Sequence, residues 1–330
     1  MDVIKNKEYV SYKYMDKFKG LLIILIIYGH IKGLTSTETQ NALYTFHVSS
    51  FLFLPFLFNT DKFNYTNILK IFRRYYTPYI VFFTIAFLAY FIFINSTVDI
   101  YKIFTSFIVG TPYLLRESIG ISTYWFFPAL IFLLITLMIY NSLNKNMKTM
   151  YLVVMLCTHL FIGLYSLPHS DILRYAPFDL YIALYLFSIG YIIKFIIQNF
   201  EINNIQFFLI IILFITLIYI SYGGRFNLAS PFFPNLFNNP LELLLRDGIM
   251  ITGFFSLLYL SKFFPVLSIF GKYSLGIYTI HPLLIQALAK VNNSEILYVL
   301  IIKLFIVALL SLAFTMLVYK FNFNKLIYPR

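Results

Sequence analysis

KGLLIILIIYGH, running from Lys19 to His30, decides how the rest of the chain is read. Ten residues without a charge, GLLIILIIYG, separate a lysine from a histidine, and comparable apolar runs follow along the whole sequence. A bilayer core takes about 20 mainly apolar residues per helix, with a range of about 17–25. On that rule the 330 residues hold ten expected spans, at roughly 18–36, 42–59, 76–95, 122–142, 149–168, 177–198, 204–222, 244–262, 267–289 and 295–319. The runs are too long for strands and lack the period-two alternation of an outer-membrane barrel. The expected fold class is therefore all-α, a polytopic membrane helix bundle of about ten transmembrane helices. It reads as a single membrane-embedded domain over residues 1–330.

Composition agrees. Apolar residues make up 60% of the chain and charged residues 12%, against about 45–50% and about 25% in soluble domains. A mean hydropathy of +0.81 leaves no room for a separate soluble domain, so any chemistry has to be built among helices. The one cysteine, Cys157, excludes an intrachain disulfide and a Cys-based metal centre. The first apolar run lacks a small-residue cleavage pattern and is expected to stay in the protein.

The net charge of +12 points to membrane topology and anionic lipid headgroups, not to nucleic acid. With both termini placed in the cytoplasm, 17 basic residues fall inside and 7 outside, with Lys303 left within a span. An eleventh span at 99–115, DIYKIFTSFIVGTPYLL, would reduce the ratio to 14 against 10. Its Asp99, Lys102 and the breaker Gly110-Thr111-Pro112 instead predict an outer-surface or re-entrant segment. The longest outer connection, at roughly 223–243, is rich in Pro, Asn and Phe and reads as a connecting loop.

Ionisable side chains within spans are costly and mark functional sites. His30, His159, His281 and Lys303 are of this kind. For His159 and Lys303, packing and snorkelling are adequate explanations. His30 differs because Lys19 stands eleven residues before it. Eleven steps of about 100° return to nearly the same face, about 16 Å along the helix axis. Lys19 would then sit at the cytoplasmic mouth and His30 deeper, towards the outer side. Further basic residues gather at the third span, in KIFRRYYTPYI, where Arg73 and Arg74 offer the planar fork that suits phosphate.

These strings resemble the acyltransferase-3 family of bacterial membrane O-acyltransferases, in its short form. The resemblance rests on Lys19 to His30, on Phe46-His47, on Arg73-Arg74 before Pro78-Tyr79, on Trp125-Phe126-x-Pro128-Ala129-Leu130, and on GKYSLGIYTIHP from Gly271 to Pro282. Two departures stand out. Lys19 occupies a place where many members have Arg, and VSSFLFLPFLF after His47 carries Pro55 where relatives commonly have Ser-Gly.

The resemblance implies transfer of an acyl group, most often acetyl from cytoplasmic acetyl-CoA, to a hydroxyl of an extracytoplasmic or lipid-linked glycan. The setting would be the bacterial cytoplasmic membrane. Acyl-CoA would be a donor substrate, with no tightly bound cofactor and no metal. Lys19, Arg73 and Arg74 would hold its phosphates, and His30 would act as general base or as nucleophile. A carboxylate or a carbonyl would orient the His30 ring, and Asp179, Glu117, Glu242 and Asp247 are the carboxylate candidates. Tyr124 and Trp125 are read either as pocket residues or as an aromatic belt. His47 is read as a support residue, and Ser274, Tyr278 and His281 as lining the same cavity or serving helix packing. A glycan or lipid transporter and a non-catalytic scaffold are the rival classes. The sequence shows no inverted repeat with paired broken helices, which counts against the transporter.

Overall fold

The computed structural model describes residues 12–93, 99–164, 178–221, 240–291 and 296–329. Among the described residues every element is helical, and the chain is an all-α polytopic membrane bundle. The elements are α1 (Tyr12–His30), α2 (Thr37–Phe58), α3 (Tyr65–Ile71), α4 (Thr77–Phe93), α5 (Ile100–Val109), α6 (Pro112–Ile119), α7 (Phe126–Ser142) and α8 (Lys145–Leu164). They continue with α9 (Phe178–Asn199), α10 (Asn204–Ile220), α11 (Pro240–Leu260), α12 (Ser268–Lys272), α13 (Ser274–Val291), α14 (Leu297–Lys320) and α15 (Asn324–Ile327).

All ten expected spans are occupied by helix, and seven helices are long and apolar enough to cross a membrane on those grounds alone. The other three are α1, whose first turns carry Asp16, Lys17 and Lys19, the 17-residue α10, and α13, which holds His281, Pro282 and Lys290. Large apolar side chains lie exposed along α10 and α14, among them Phe208, Leu209, Ile215, Ile302, Phe305 and Leu309. Such extended apolar faces suit lipid as the surrounding solvent.

The bounds of three helices correct the sequence reading. The first helix ends at His30, not near 36, because the chain turns at Gly33, whose φ is 83°. Its start moves back from 18 to Tyr12, so that Lys19 lies about two turns inside the helix. The third helix begins at Tyr65, capped by the Asn64 side chain, which accepts from the Asn67 N–H at 2.8 Å. Arg73 and Arg74 therefore lie inside a helix and not ahead of one. The ninth expected span is broken at Tyr273, and its long helix starts only at Ser274.

The segment at 99–115 forms two short helices, α5 and α6, parted by Gly110 at φ 65° with Thr111 capping α6. It makes no spanning helix, as its breaker predicts. Lys102 and Glu117 join the two helices through an ion pair of 2.7 Å. The expected outer connection lies outside the described residues as far as 239, as do Arg174 and Arg225.

The described residues fall into two compact units. One lies within Met1–Leu57, Ile189–Leu228 and Asn239–Met316, the other within Phe58–Ser188, Ala229–Asn238 and Leu317–Arg330. In the first, α1 packs directly on α12. A Cβ on Gly20 would overlap the Leu267 carbonyl, and one on Gly271 would overlap the Asp16 carbonyl. The two backbones approach closely because both positions lack a side chain. Tyr14 adds a hydrogen bond to the Leu258 carbonyl at 2.7 Å. In the second unit, Tyr79 stacks on Phe107 and donates to the Phe107 carbonyl at 2.9 Å.

Candidate active site around His30

His30 is the last residue of α1 and is half-buried. Gln40 on α2 donates from its side-chain amide to the Gly29 carbonyl at 2.9 Å, which ties the end of α1 to the first turns of α2. One turn further on, the Tyr44 hydroxyl lies 2.5 Å from His30 Nδ1 and 3.3 Å from Nε2. The shorter contact makes Nδ1 the anchored nitrogen. Gln40 also hydrogen-bonds Tyr44, so an amide, a phenol and an imidazole form one chain of polar contacts.

Two more histidines close on this point. His281 of α13 faces His30 with ring centroids 5.6 Å apart, and His47 of α2 lies 5.1 Å from the Tyr44 ring. Both are fully buried. His47 Nδ1 donates to the Leu43 carbonyl, one turn back on its own helix. His281 Nδ1 donates to the Ile277 carbonyl at 3.2 Å and also engages the Tyr278 carbonyl. The sequence explains the second contact. Pro282 has no N–H, so the helix cannot supply the usual donor to the Tyr278 carbonyl, and the neighbouring imidazole is placed to serve it.

α1 and α13 run in the same direction, since Asp16 meets Gly271 at one end and His30 meets His281 at the other. Lys19 stands at the first of these ends, about 16 Å from His30 by helical rise. Its ammonium is paired with Asp16, both side chains being a little under a third exposed. Lys272, beside Gly271, is exposed at the same end.

A family model described as an acyltransferase domain, Acyl_transf_3, matches residues 12–320. The chain belongs to the acyltransferase-3 family. No curated protein and no solved structure matches the chain significantly.

The structure thus unites three of the resemblance's separate strings, those of His30, His47 and His281, at one point of this membrane acyltransferase. Tyr278 borders the cluster, its ring centroid 5.6 Å from that of His281. Ser274 opens α13, two turns before His281 on the same face of the helix. Where a carboxylate or a carbonyl is expected on the His30 ring, the structure places the Tyr44 hydroxyl, and among the described residues no carboxylate is bonded to that ring. Glu117 pairs with Lys102, and Asp179 is buried beside Gly110, both in the second unit. Glu242 and Asp247 lie on α11.

Arg73, Arg74, Tyr124 and Trp125 also belong to the second unit. Both arginines are exposed in a π-helical turn, Phe72–Tyr76, and Arg74 lies over the Tyr75 ring at 5.4 Å. The wide turn precedes Pro78, whose ring would crowd the Arg74 carbonyl in a regular α-helix. Tyr124 is fully buried and Trp125 nearly so, on the turn that opens α7, so neither faces lipid as a belt residue would. His159 stacks on Tyr185 and meets its carbonyl at 2.8 Å, a packed histidine.

The sequence reading missed Tyr44 and Gln40, which hold the catalytic candidate. Arg246 is one of the 7 basic residues assigned to the outer segments from sequence. Arg246 is in fact 1% exposed within α11, and a buried cation in a spanning helix is itself a functional signal.

Proposed function

We propose that this acyltransferase-3 protein moves an acetyl group from cytoplasmic acetyl-CoA to a hydroxyl of an extracytoplasmic or lipid-linked glycan, in the cytoplasmic membrane of a bacterium, with His30 as general base. The observation that carries this reading is the state of His30. His30 is half-buried, and with its Nδ1–H donating to the Tyr44 oxygen the Nε2 lone pair is left to take a proton from a hydroxyl. Neutral imidazole takes the hydroxyl proton as the oxygen attacks the thioester carbonyl carbon. The carbon–sulfur bond then breaks, and the proton passes from His30 to the departing thiolate. General-base assistance of this kind contributes about 10²–10⁴-fold.

CoA carries its phosphates at one end and its thioester at the end of a long arm. Lys19 and Lys272 stand at the end of α1 remote from His30, and the uncharged run 20–29 leads from there to the ring. Binding phosphate at Lys19 requires the Asp16 pair to open, which makes the lysine a point-charge ligand exchanging one anion for another. Arg73 and Arg74 are proposed as donor-phosphate ligands on their own grounds, two exposed arginines consecutive in the chain.

Purified protein incubated with acetyl-labelled CoA and membrane glycolipid is expected to move the label to the glycan. Movement of glycolipid across vesicles without label transfer would replace the enzyme reading by that of a transporter.

A further inference from the structure

The chain between α11 and α13, SKFFPVLSIFGKY from Ser261 to Tyr273, has two unlike sides. Phe264 leaves helical geometry ahead of Pro265, at φ −120° and ψ 66°, so the segment makes two 3-10 turns, Ser261–Phe263 and Pro265–Leu267, before the short α12. Its inner side is fixed on α1. The Ser261 hydroxyl donates to the Leu258 carbonyl at 2.8 Å, the same oxygen that receives the Tyr14 hydroxyl. Leu267 and Gly271 rest on the backbone of α1 at Gly20 and Asp16. Its outer side is apolar. Phe263 is 59%, Phe264 50% and Val266 75% exposed, and Ile269 is exposed beside them in the sequence. Two exposed lysines, Lys262 and Lys272, flank this run, and the segment holds no acidic residue. Asp16, the acid of α1 that meets Gly271, is already paired with Lys19.

Water is a poor solvent for two adjacent phenylalanines held outward on a fixed backbone. The other short connections expected in the cytoplasm are more polar, NTDKFN at 59–64, LNKNM at 143–147 and FEIN at 200–203, and two of the three carry an acid. Aromatic and aliphatic side chains bordered by lysine are the make-up of a segment that lies in the membrane interface. We propose that residues 262–272 form a binding surface for anionic phospholipid of the cytoplasmic leaflet, with Phe263, Phe264 and Val266 among the acyl chains and Lys262 and Lys272 towards headgroup phosphates. A zwitterionic lipid carries its own cation beside the phosphate, so lysines without a neighbouring free acid favour a lipid of net negative charge. The inference goes beyond the acyl-transfer reading and does not depend on it.

The test titrates the full chain in detergent with phosphatidylglycerol or phosphatidylcholine and counts the lipid retained per protein by native mass spectrometry. The intact protein is expected to retain the anionic lipid at least about fivefold better, the effect of one lysine near an anionic surface. Lys262→Gln should lower that preference by about the same factor. Phe263→Ser combined with Phe264→Ser should lower retention of both lipids. These side chains are exposed, so the variants are expected to melt with the parent. Lys145→Gln, at an exposed lysine of another connection, should leave the preference as it was. An intact protein without preference would overturn the proposal. So would an equal loss in Lys145→Gln and Lys262→Gln, which would reduce the effect to the general charge of the cytoplasmic side. A higher KM for acetyl-CoA in Lys262→Gln without added lipid, at unchanged lipid retention, would assign this lysine to the donor and overturn the proposal as well. Because lipid retention is read without turnover, either result leaves the His30 reading standing.

Discussion

The Tyr44 hydroxyl meets His30 Nδ1 at 2.5 Å, across the turn that joins the first two helices. The contact fixes which nitrogen of His30 is available, and it depends on a residue 14 positions away. Replacing Tyr44 by Phe removes the hydroxyl and keeps the ring. We expect kcat to fall by roughly tenfold or more while KM for the donor changes little, because the ring loses its orientation and not its chemistry. Steady-state kinetics of the purified variant check this, and an unchanged kcat would make Tyr44 a packing residue only.

The Lys19–Asp16 pair gives a second expectation. Asp16→Asn frees the ammonium and should lower KM for acetyl-CoA, whereas Lys19→Gln should raise it, with kcat at saturating donor little changed in either case. Donor titrations of the two variants decide the matter. Equal shifts in the same direction would show that Lys19 does not bind the donor.

Arg73 and Arg74 are exposed, so their removal should cost little stability. The double change to Gln should raise the donor KM several-fold. An unaltered donor KM would leave the two arginines as topological anchors.

Close backbone packing yields a prediction about folding. Gly271→Ala places a methyl group on the Asp16 carbonyl and should destabilise the protein by about 1–3 kcal/mol. Gly29→Ala meets only the Tyr44 ring at 3.7 Å, an ordinary contact, and should be neutral or slightly stabilising. Thermal melts in detergent separate the two. A Gly271→Ala protein as stable as the parent would contradict the close contact between α1 and α12.

Apolar run length made the ten helices legible from sequence, because in a bilayer the surrounding lipid imposes it. Boundaries were less legible. His30 reads as interior to an apolar run, yet a left-handed glycine three residues later ends the helix at that residue. His30, His47 and His281 each stood out in a separate string, but their meeting depends on helix packing that no spacing within one helix encodes. Tyr44 was invisible for another reason. It is one of 28 tyrosines, and its partner lies across a turn with no periodic relation to it. In place of the expected carboxylate or carbonyl, a neutral hydroxyl holds the His30 ring, at lower desolvation cost than a buried carboxylate.

The most direct test of the central claim is the acetyl-transfer rate of His30→Ala, measured on detergent-purified protein with labelled acetyl-CoA and the glycan acceptor, after helical content and monodispersity have been matched to the parent. The account predicts a fall of about 10²–10⁴ in kcat. A rate equal to that of the parent would contradict it.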